Sequence, residues 1–515
     1  MGLFRAFHRG EDGNVALMFA LALVPLFGVV GAAVDFSRVS QTRAQLADAL
    51  DAGVLAVGSQ PEMSEAEAYQ VINDWITAHL GDKYAGKWQL DSVTLGDGGS
   101  ILATASGSVD TTLARVLGIY EMQIGVTSEA VRSLGKVEVV LVLDNTGSMK
   151  GTKLTKLKEA ANALVDTLVD ATADPEDLRI GLVPFSMTVN VGSGYQNASW
   201  IDNNATSPIH DDIFDSNYNR FAAFNKMNVA WAGCVEGRPY PHDVEETEPS
   251  ASDPETLYVP YFAPDEPDPA SKNGNGNFGT FYNNYISDKK YSKTNWKVPQ
   301  GYTLKYNNAT PKTGTNSSTG YIYGPNAGCQ LAALVRLTPD AEPASIKKVT
   351  DAIDAMTAVG DTNIPIGLAW GWNVLSPTGP FGDGIEYGDD EWNKIVVLMT
   401  DGQNQNTDNS NPNDSFYSGV GYIWQDRLGV VAGSSSTKRR EALDGRLSEL
   451  CTNMKAEAVD IQIYTVRVEV TTGSSQVLKD CATEPDYFYD VENVADLTDT
   501  FTDIGGSIQK LRLSK

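Results

Sequence analysis

The spacing of apolar and polar positions changes several times along this chain, and each change predicts an element. Residues 15–34, VALMFALALVPLFGVVGAAV, run for about twenty positions without a charge, the length a helix needs to cross a hydrocarbon core. Pro25 lies inside the run, and membrane helices tolerate proline. The rival is a cleaved secretory signal with its site in GAAVDFS. Such signals have shorter apolar stretches, about 7–15 residues, so a retained span is expected. Beyond it, Val39, Leu46, Leu50, Val54 and Leu55 recur at helical spacing and carry the helix through 35–59. Arg5 and Arg9 before the run nearly balance Arg38 and Arg43 after it, so the positive-inside count alone does not orient the span.

Residues 65–80 place Ala68, Val71, Ile72, Trp75, Ile76 and Leu80 on one helical face. WQLDSVTL, SILATASGSV and MQIGVTSEAV follow as strand-like runs, with GDGG at 96–99 as a hairpin turn. This predicts a small α+β domain over 60–133, a spacer or docking element without recognisable chemistry.

From residue 136 the pattern becomes that of a sheet buried on both faces. KVEVVLVLD (136–144), RIGLVPFS (179–186), KIVVLMTDG (394–402) and DIQIYTVRVEV (460–470) are short, β-branched apolar runs. Helical segments separate them. Leu154, Leu157, Ala161, Leu164 and Leu168 form one stripe, 342–356 and 437–459 read as two further helices, and Leu497, Phe501, Ile504, Ile508 and Leu511 form the last stripe. Strands alternating with helices imply a doubly wound α/β domain. About 150 residues, 190–341, interrupt it. They are rich in Asn, Gly and Pro but also in Tyr and Trp, so a loop-rich inserted subdomain is expected rather than a linker. It is expected to overhang the strand ends. NGNGNFG (273–279) resembles a phosphate loop only superficially, since no strand precedes it and no Lys-Ser/Thr follows. The expected organisation is a cytoplasmic stub (1–14), a transmembrane helix (15–34), a helical extension (35–59), the small domain (60–133) and the α/β domain (134–515).

The net charge of −27 argues against a nucleic-acid partner, because phosphate backbones would be repelled. Most of that charge serves solubility. Four cysteines, Cys234, Cys329, Cys451 and Cys481, form no CxxC pair. In a chain that crosses a membrane they favour disulfides in an oxidising compartment. Of the three pairings, Cys234–Cys329 and Cys451–Cys481 are preferred because each stays within one segment. His8, His79, His210 and His242 have no metal-ligand spacing, and no HExxH, GxSxG or Walker A sequence occurs. No catalytic residue is expected, and the histidines outside the stub read as surface or loop residues.

The candidate chemistry sits at strand ends. LVLDNTGSMKG (141–151) ends an apolar strand in an acid and then sets hydroxyls at alternate positions: Asp144, Thr146 and Ser148. In open α/β sheets ligands bind beyond the carboxyl ends of the strands, where Asp144 can meet Asp401 of MTDG. Carboxylates and hydroxyls are hard ligands that suit Mg2+ or Mn2+ rather than zinc, and such a site leaves a position open to an acidic group of a partner.

These residues resemble the metal-ion-dependent adhesion site of von Willebrand factor A domains, D-x-[ST]-x-S followed by a threonine in a second loop and an aspartate in a third. Asp144, Thr146 and Ser148 match the first loop. GDTNIPIGLAWG (360–371) is similar to the second, with Thr362 as the metal-site threonine, and Asp401 matches the third. The first hydroxyl is threonine where serine is commoner. GNVALMFALALVPLFGVVGAAVDFSR, GLAWGWNVLSP, VVLMTDGQNQ, the Cys451–Cys481 spacing and the terminal helix together resemble the TadG-like proteins of Flp (tight-adherence) pilus assembly. That resemblance implies a single-pass inner-membrane protein with its bulk in the periplasm, binding other pilus-assembly or envelope proteins through an acidic side chain. Prepilin-type processing is not expected, because the fifth residue after Gly10 or Gly13 is Val15 or Met18 rather than glutamate. The alternative is an envelope adhesin or matrix-binding protein unrelated to pili. An adaptor for a cytoplasmic ATPase is disfavoured by the span and the cysteines.

Overall fold

The computed structural model describes residues 13–58, 60, 63–81, 86–96, 100–131, 136–172, 174–268, 281–287, 295–470 and 476–513. Two compact units divide the chain, 1–134 and 135–515. Part of the predicted stub (1–12), part of the GDGG turn (97–99) and the whole of NGNGNFG lie outside the described residues.

In the first unit, helix α1 spans Gly13–Gly58 without a break. Helix α2, Glu65–Leu80, follows. Strands β1 (Trp88–Gly96), β2 (Ser100–Asp110) and β3 (Glu121–Val131) form an antiparallel sheet in the order β1-β2-β3. Leu46, Leu50 and Val54 of α1 share one core with Ile72 and Ile76 of α2 and with Ile101 and Ala103 of β2. The second half of α1 is therefore part of the small domain rather than a detached extension. Its apolar stripe must be covered, and a three-stranded sheet needs a packing partner to be stable. Among the described residues no helix is long and apolar enough to cross a membrane. Within 15–34, the side chains of 15–17, 24, 25, 27 and 28 lie outside them, while those of Met18, Phe19, Leu21, Leu26, Val29 and Val30 are exposed.

Helix α2 starts on a capping box. The Ser64 hydroxyl accepts the Glu67 N–H at 3.3 Å, and the Glu67 carboxylate accepts the Ser64 N–H at 2.9 Å. Ser64→Ala should cost about 1 kcal/mol, measurable by denaturant unfolding of the first unit's transition. An unchanged midpoint would show that the cap adds nothing to the packing of Ile72 and Ile76.

The second unit is built on a mixed seven-stranded sheet of order β10-β9-β8-β4-β5-β6-β7. Strands β4 (Lys136–Asp144), β5 (Leu178–Phe185), β8 (Trp392–Thr400), β9 (Ile461–Val468) and β10 (Phe488–Val491) are parallel. The two-residue strands β6 (Val189–Asn190) and β7 (Cys234–Val235) close one edge antiparallel. Alternate residues of β4 serve opposite faces. Val139 and Leu141 pack with α3 (Thr152–Asp170), α4 (Pro343–Asp354) and the terminal helix Leu497–Leu513. Val140 and Val142 pack with α5 (Ile364–Leu375) and α6 (Ser436–Met454). Helix α7 (Gln476–Cys481) and α8, the terminal helix, follow, and the insertion adds two short helices, Arg220–Lys226 and Lys297–Gly301.

Helix α5 was not legible as a helix, because it is apolar on every face. Eleven of its twelve residues are buried, so no polar stripe marks the period. The insertion covers it. Trp200, Phe224, Tyr258 and Phe262 belong to the same core as Trp370 of α5 and Val142 of β4, so the inserted segment is a cover for this face and not a separate body. Both expected disulfides form, with Cα separations of 5.8 Å for Cys234–Cys329 and 5.1 Å for Cys451–Cys481. The first links two parts of the insertion, holding Cys329 against the edge strand β7, and the second joins α6 to α7.

One polar residue interrupts the apolar run of β4. Glu138, fully buried, stands opposite Arg179 of β5 and Lys394 of β8, and its two carboxylate oxygens accept from them at 2.6 and 2.5 Å. A one-residue slip of either neighbour would strand a buried charge, so this triad specifies the register of the three central strands.

Candidate metal centre

Strands β4 and β8 are adjacent and parallel, with Leu143 opposite Met399. Their carboxyl ends therefore place Asp144 beside Thr400 and Asp401, although 256 residues separate Asp144 from Thr400. Asp144 is fully buried. Its Oδ1 accepts the Thr146 N–H at 2.7 Å and its Oδ2 accepts the Thr400 hydroxyl at 2.6 Å. The Thr146 and Ser148 hydroxyls lie 2.9 Å apart, and Ser148 Oγ donates to Asp401 Oδ1 at 2.7 Å. The alternation read from the sequence thus becomes a continuous row of oxygens.

The second loop reaches this row through its backbone. Gly147 N–H donates to Gly360 O at 2.9 Å, and Val359 N–H donates to Asn145 O at 2.8 Å. Gly360 has φ +83°, and a Cβ there would meet Ser186 and Met187 at 3.3–3.4 Å, so the turn that presents the loop favours glycine. Thr362 is buried, and its carbonyl accepts the Gln405 N–H at 2.8 Å. Asp144, Thr146, Ser148, Thr362 and Asp401 are accordingly carried by three segments that interlock at the carboxyl ends of the central strands β4 and β8.

Several neighbours were not singled out from the sequence. Asp361 fastens the second loop to the third by accepting the Thr407 N–H at 2.6 Å and its hydroxyl at 2.9 Å. Lys153, at the start of α3, donates to Asp401 Oδ2 at 2.8 Å and lies 3.6 Å from Glu469 at the end of β9. Thr400 was legible only as the residue preceding the acid in MTDG. Nothing in the local pattern around Lys153 or Glu469 marks them, because their meeting depends on strand order.

The electrostatics ask for a cation. Burial, and then the charge of Asp401, push the Asp144 carboxyl up to about 6. Among the described residues Asp144 has no ion pair, its partners being a neutral hydroxyl and an amide. The buried side chain of Asn145 and the Ser186 hydroxyl make no hydrogen bond there either, and buried polar groups of this kind usually have partners. Two carboxylates with hydroxyls form a hard-oxygen donor set that fits magnesium or manganese. No group of three or more His, Cys, Asp or Glu gathers among the described residues, so a divalent ion here depends on hydroxyl donors.

The histidines fall elsewhere. His79 is exposed and His242 half-buried. His210, expected as a surface or loop residue, lies in a loop of the insertion but is fully buried. Its Nδ1 lies 2.8 Å from Asp202 Oδ2, and its Nε2 accepts the Arg220 N–H at 3.0 Å. An acceptor at Nε2 requires the neutral ring with the proton on Nδ1, and burial lowers its pKa accordingly. This is a structural pair inside the insertion.

Residues 13–60 match the family model described as putative Flp pilus-assembly TadE/G-like, and residues 138–218 match that of the von Willebrand factor type A domain. The second match includes the first loop and ends inside the insertion, before Thr362 and Asp401. No curated protein matches the chain. Among solved structures the chain is similar to the pilus adhesin SpaC from Lactobacillus rhamnosus GG, at 11% identity over 83% of this chain and 35% of that one, with a TM-score of 0.33. It is also similar to a von Willebrand factor type A protein from Catenulispora acidiphila (10%, 82% and 50%, TM-score 0.30). A third is the vWF domain of the type V pili tip protein Mfa5 from Porphyromonas gingivalis (11%, 73% and 95%, TM-score 0.32). The chain spans about a third of the length of the SpaC chain.

Proposed function

We propose that this chain, which joins a TadE/G-like segment to a von Willebrand factor type A domain, is a membrane-anchored component of Flp pilus assembly or anchoring. Residues 15–34 form the single span, the N-terminus is cytoplasmic and the bulk is periplasmic. The uncharged run and the exposed apolar side chains of α1 support the span. The two disulfides support an oxidising compartment. The chain works by binding and not by catalysis, and its partner is another pilus or envelope protein.

The observation that carries this reading is a buried Asp144, without an ion pair among the described residues, brought near Asp401 through Thr400 and Ser148 at the meeting of three loops. Asp144, Thr146, Ser148, Thr362 and Asp401 would hold Mg2+ or Mn2+, which supplies the positive charge that an acidic side chain of the partner requires. Asp361 and Gly360 position the Thr362 loop, and Lys153 offsets part of the Asp401 charge.

Surface pilin tests the reading in three strains: wild type, a deletion, and Asp144→Ala at matched protein level. Loss of pilin in both mutants is expected. Loss in the deletion alone would make the protein a scaffold whose cation site is dispensable. Persistence in both would remove the assembly role and favour an envelope adhesin.

A further inference from the structure

The connection between β2 and β3, residues 111–120, is fastened to α1 at the end of the uncharged run. Asp35, 2% exposed, accepts the backbone N–H groups of Thr112, Leu113 and Ala114 at 2.9, 2.8 and 2.6 Å. Leu113 presses on the helix one turn earlier. A Cβ on Gly31 would lie 2.6 Å from the Leu113 Cβ, so only glycine admits the contact. Gly31 belongs to the run 15–34, and three residues of helix rise about 5 Å. Leu113 therefore meets α1 inside the stretch read as membrane-spanning.

The connection is closed on itself and holds Leu113, Ile119 and Tyr120 largely outward. Thr111 N–H donates to Tyr120 O at 3.0 Å, Ile119 N–H donates to Ala114 O at 3.2 Å, and the Thr111 hydroxyl donates to Ile119 O. Yet Leu113 and Ile119 are each 46% exposed and Tyr120 is 63% exposed. On the same stretch of α1, Val30, Val34 and Phe36 are exposed as well. Two cations flank this tip in a strongly acidic chain. Arg38 donates to the Thr112 hydroxyl, and Arg115 lies 5.8 Å from the Tyr120 ring.

We propose that residues 111–120 are a membrane-interface anchor whose partner is the phospholipid bilayer. Leu113, Ile119 and Tyr120 seat at the boundary of acyl chains and headgroups, where amphipathic rings concentrate. Arg38 and Arg115 reach anionic headgroups from apolar stems. The bilayer is the occupant because the apolar tip is continuous with the uncharged run at the depth of Gly31. The carboxylate of Asp35 and the Gly31 contact fix the connection before it meets lipid, so little ordering is paid on insertion. The small domain then stands against the membrane surface instead of swinging on a helix. The inference rests on the reading of 15–34 as a span.

The test uses the full chain in vesicles of phosphatidylethanolamine with phosphatidylglycerol, carrying a fluorophore on Ile119→Cys, Leu26→Cys or Thr94→Cys. Thr94 is exposed on β1, opposite Leu102 and far along β2 from the connection. At position 119 we expect quenching by shallow nitroxide lipids and several-fold less quenching by aqueous iodide than at 94. Position 26 should be quenched by deep nitroxide lipids. Asp35→Ala should return the label at 119 to iodide, and an unchanged label would overturn the role of Asp35 as the fastener. If 119 is as open to iodide as 94 while 26 remains lipid-quenched, the anchor fails and the span stands. If 26 is itself open to iodide, the span fails and takes the anchor with it. If 119 is shielded from iodide but no nitroxide lipid quenches it, a protein covers the tip and the bilayer is the wrong partner.

Discussion

Asp144→Asn should stabilise the metal-free protein at pH 7 and abolish its stabilisation by magnesium. Burial and the neighbouring Asp401 raise the Asp144 carboxyl from an ordinary 3.8 to about 6. A carboxyl raised on folding is fully tolerated below its unfolded pKa, where both states are protonated. Stability is then lost as pH rises from about 4 through about 6, because the folded state must give up its proton to form a buried anion. At pH 7 the full shift applies, an upper bound of about 3 kcal/mol. Asparagine is neutral at every pH but cannot accept from both Thr146 and Thr400, which returns about 1 kcal/mol. The net gain in chelator is therefore about 1–2 kcal/mol. A divalent cation reverses the sign for the wild type alone, because ligand that binds only the folded state stabilises it by mass action. Thermal unfolding at pH 5 and pH 7, in chelator and in magnesium, measures all four terms. A variant that is less stable than wild type in chelator at pH 7, or that still responds to magnesium, would contradict the cation site.

Glu236→Gln should cost about 3–5 kcal/mol, the scale of breaking a buried ion pair from one side. Glu236 and Arg220 are both fully buried in the insertion. Glu236 Oε1 accepts from Arg220 and, at 2.5 Å, from the Tyr417 hydroxyl. Its Oε2 accepts from Arg427 at 2.6 Å. Burial pushes the Glu236 carboxyl up, but Arg220 and Arg427 together pull it below its ordinary value. Glutamine keeps the shape and removes the charge, leaving Arg220 its bonds to the carbonyls of His210, Ile209 and Pro260 and, among the described residues, Asp212 at 3.9 Å as its one remaining acidic partner. The double replacement Arg220→Met with Glu236→Leu should recover most of the loss, since the penalty is a stranded charge and not a missing bond. Equilibrium unfolding in urea measures both variants. A Glu236→Gln midpoint near that of wild type would show that water reaches the cluster.

This cluster also bears on the proposed cation site. Gly237, next to Glu236, donates to Gly419 O at 2.8 Å, and Gly419 donates to Met187 O at 2.9 Å. Met187 lies against Gly360, at the entrance to the Thr362 loop. The insertion thus buttresses the second loop through a short backbone relay.

The local sequence by itself determined the strands that lead to Asp144 and Asp401, because short runs rich in β-branched apolar residues favour strands buried on both faces of a sheet. It also determined the α3 and α8 stripes, whose 3.6-residue period needs one buried face, and the alternation of Asp144, Thr146 and Ser148. Other features belong to the tertiary structure alone. Helix α5 has no polar face, so its period is invisible until β4, β5 and the insertion are seen to cover it. Glu138 looks like a flaw in β4 until strand order supplies Arg179 and Lys394. His210 reads as a loop residue until Asp202 and the Arg220 amide enclose it. Lys153 and Glu469 meet at Asp401 only because β9 lies beside β8. His210 is enclosed by partners only 8 and 10 residues away in the insertion, but in the other cases the deciding partner is dozens to hundreds of residues away, and a pairing set by strand order leaves no periodic trace in the segments that make it.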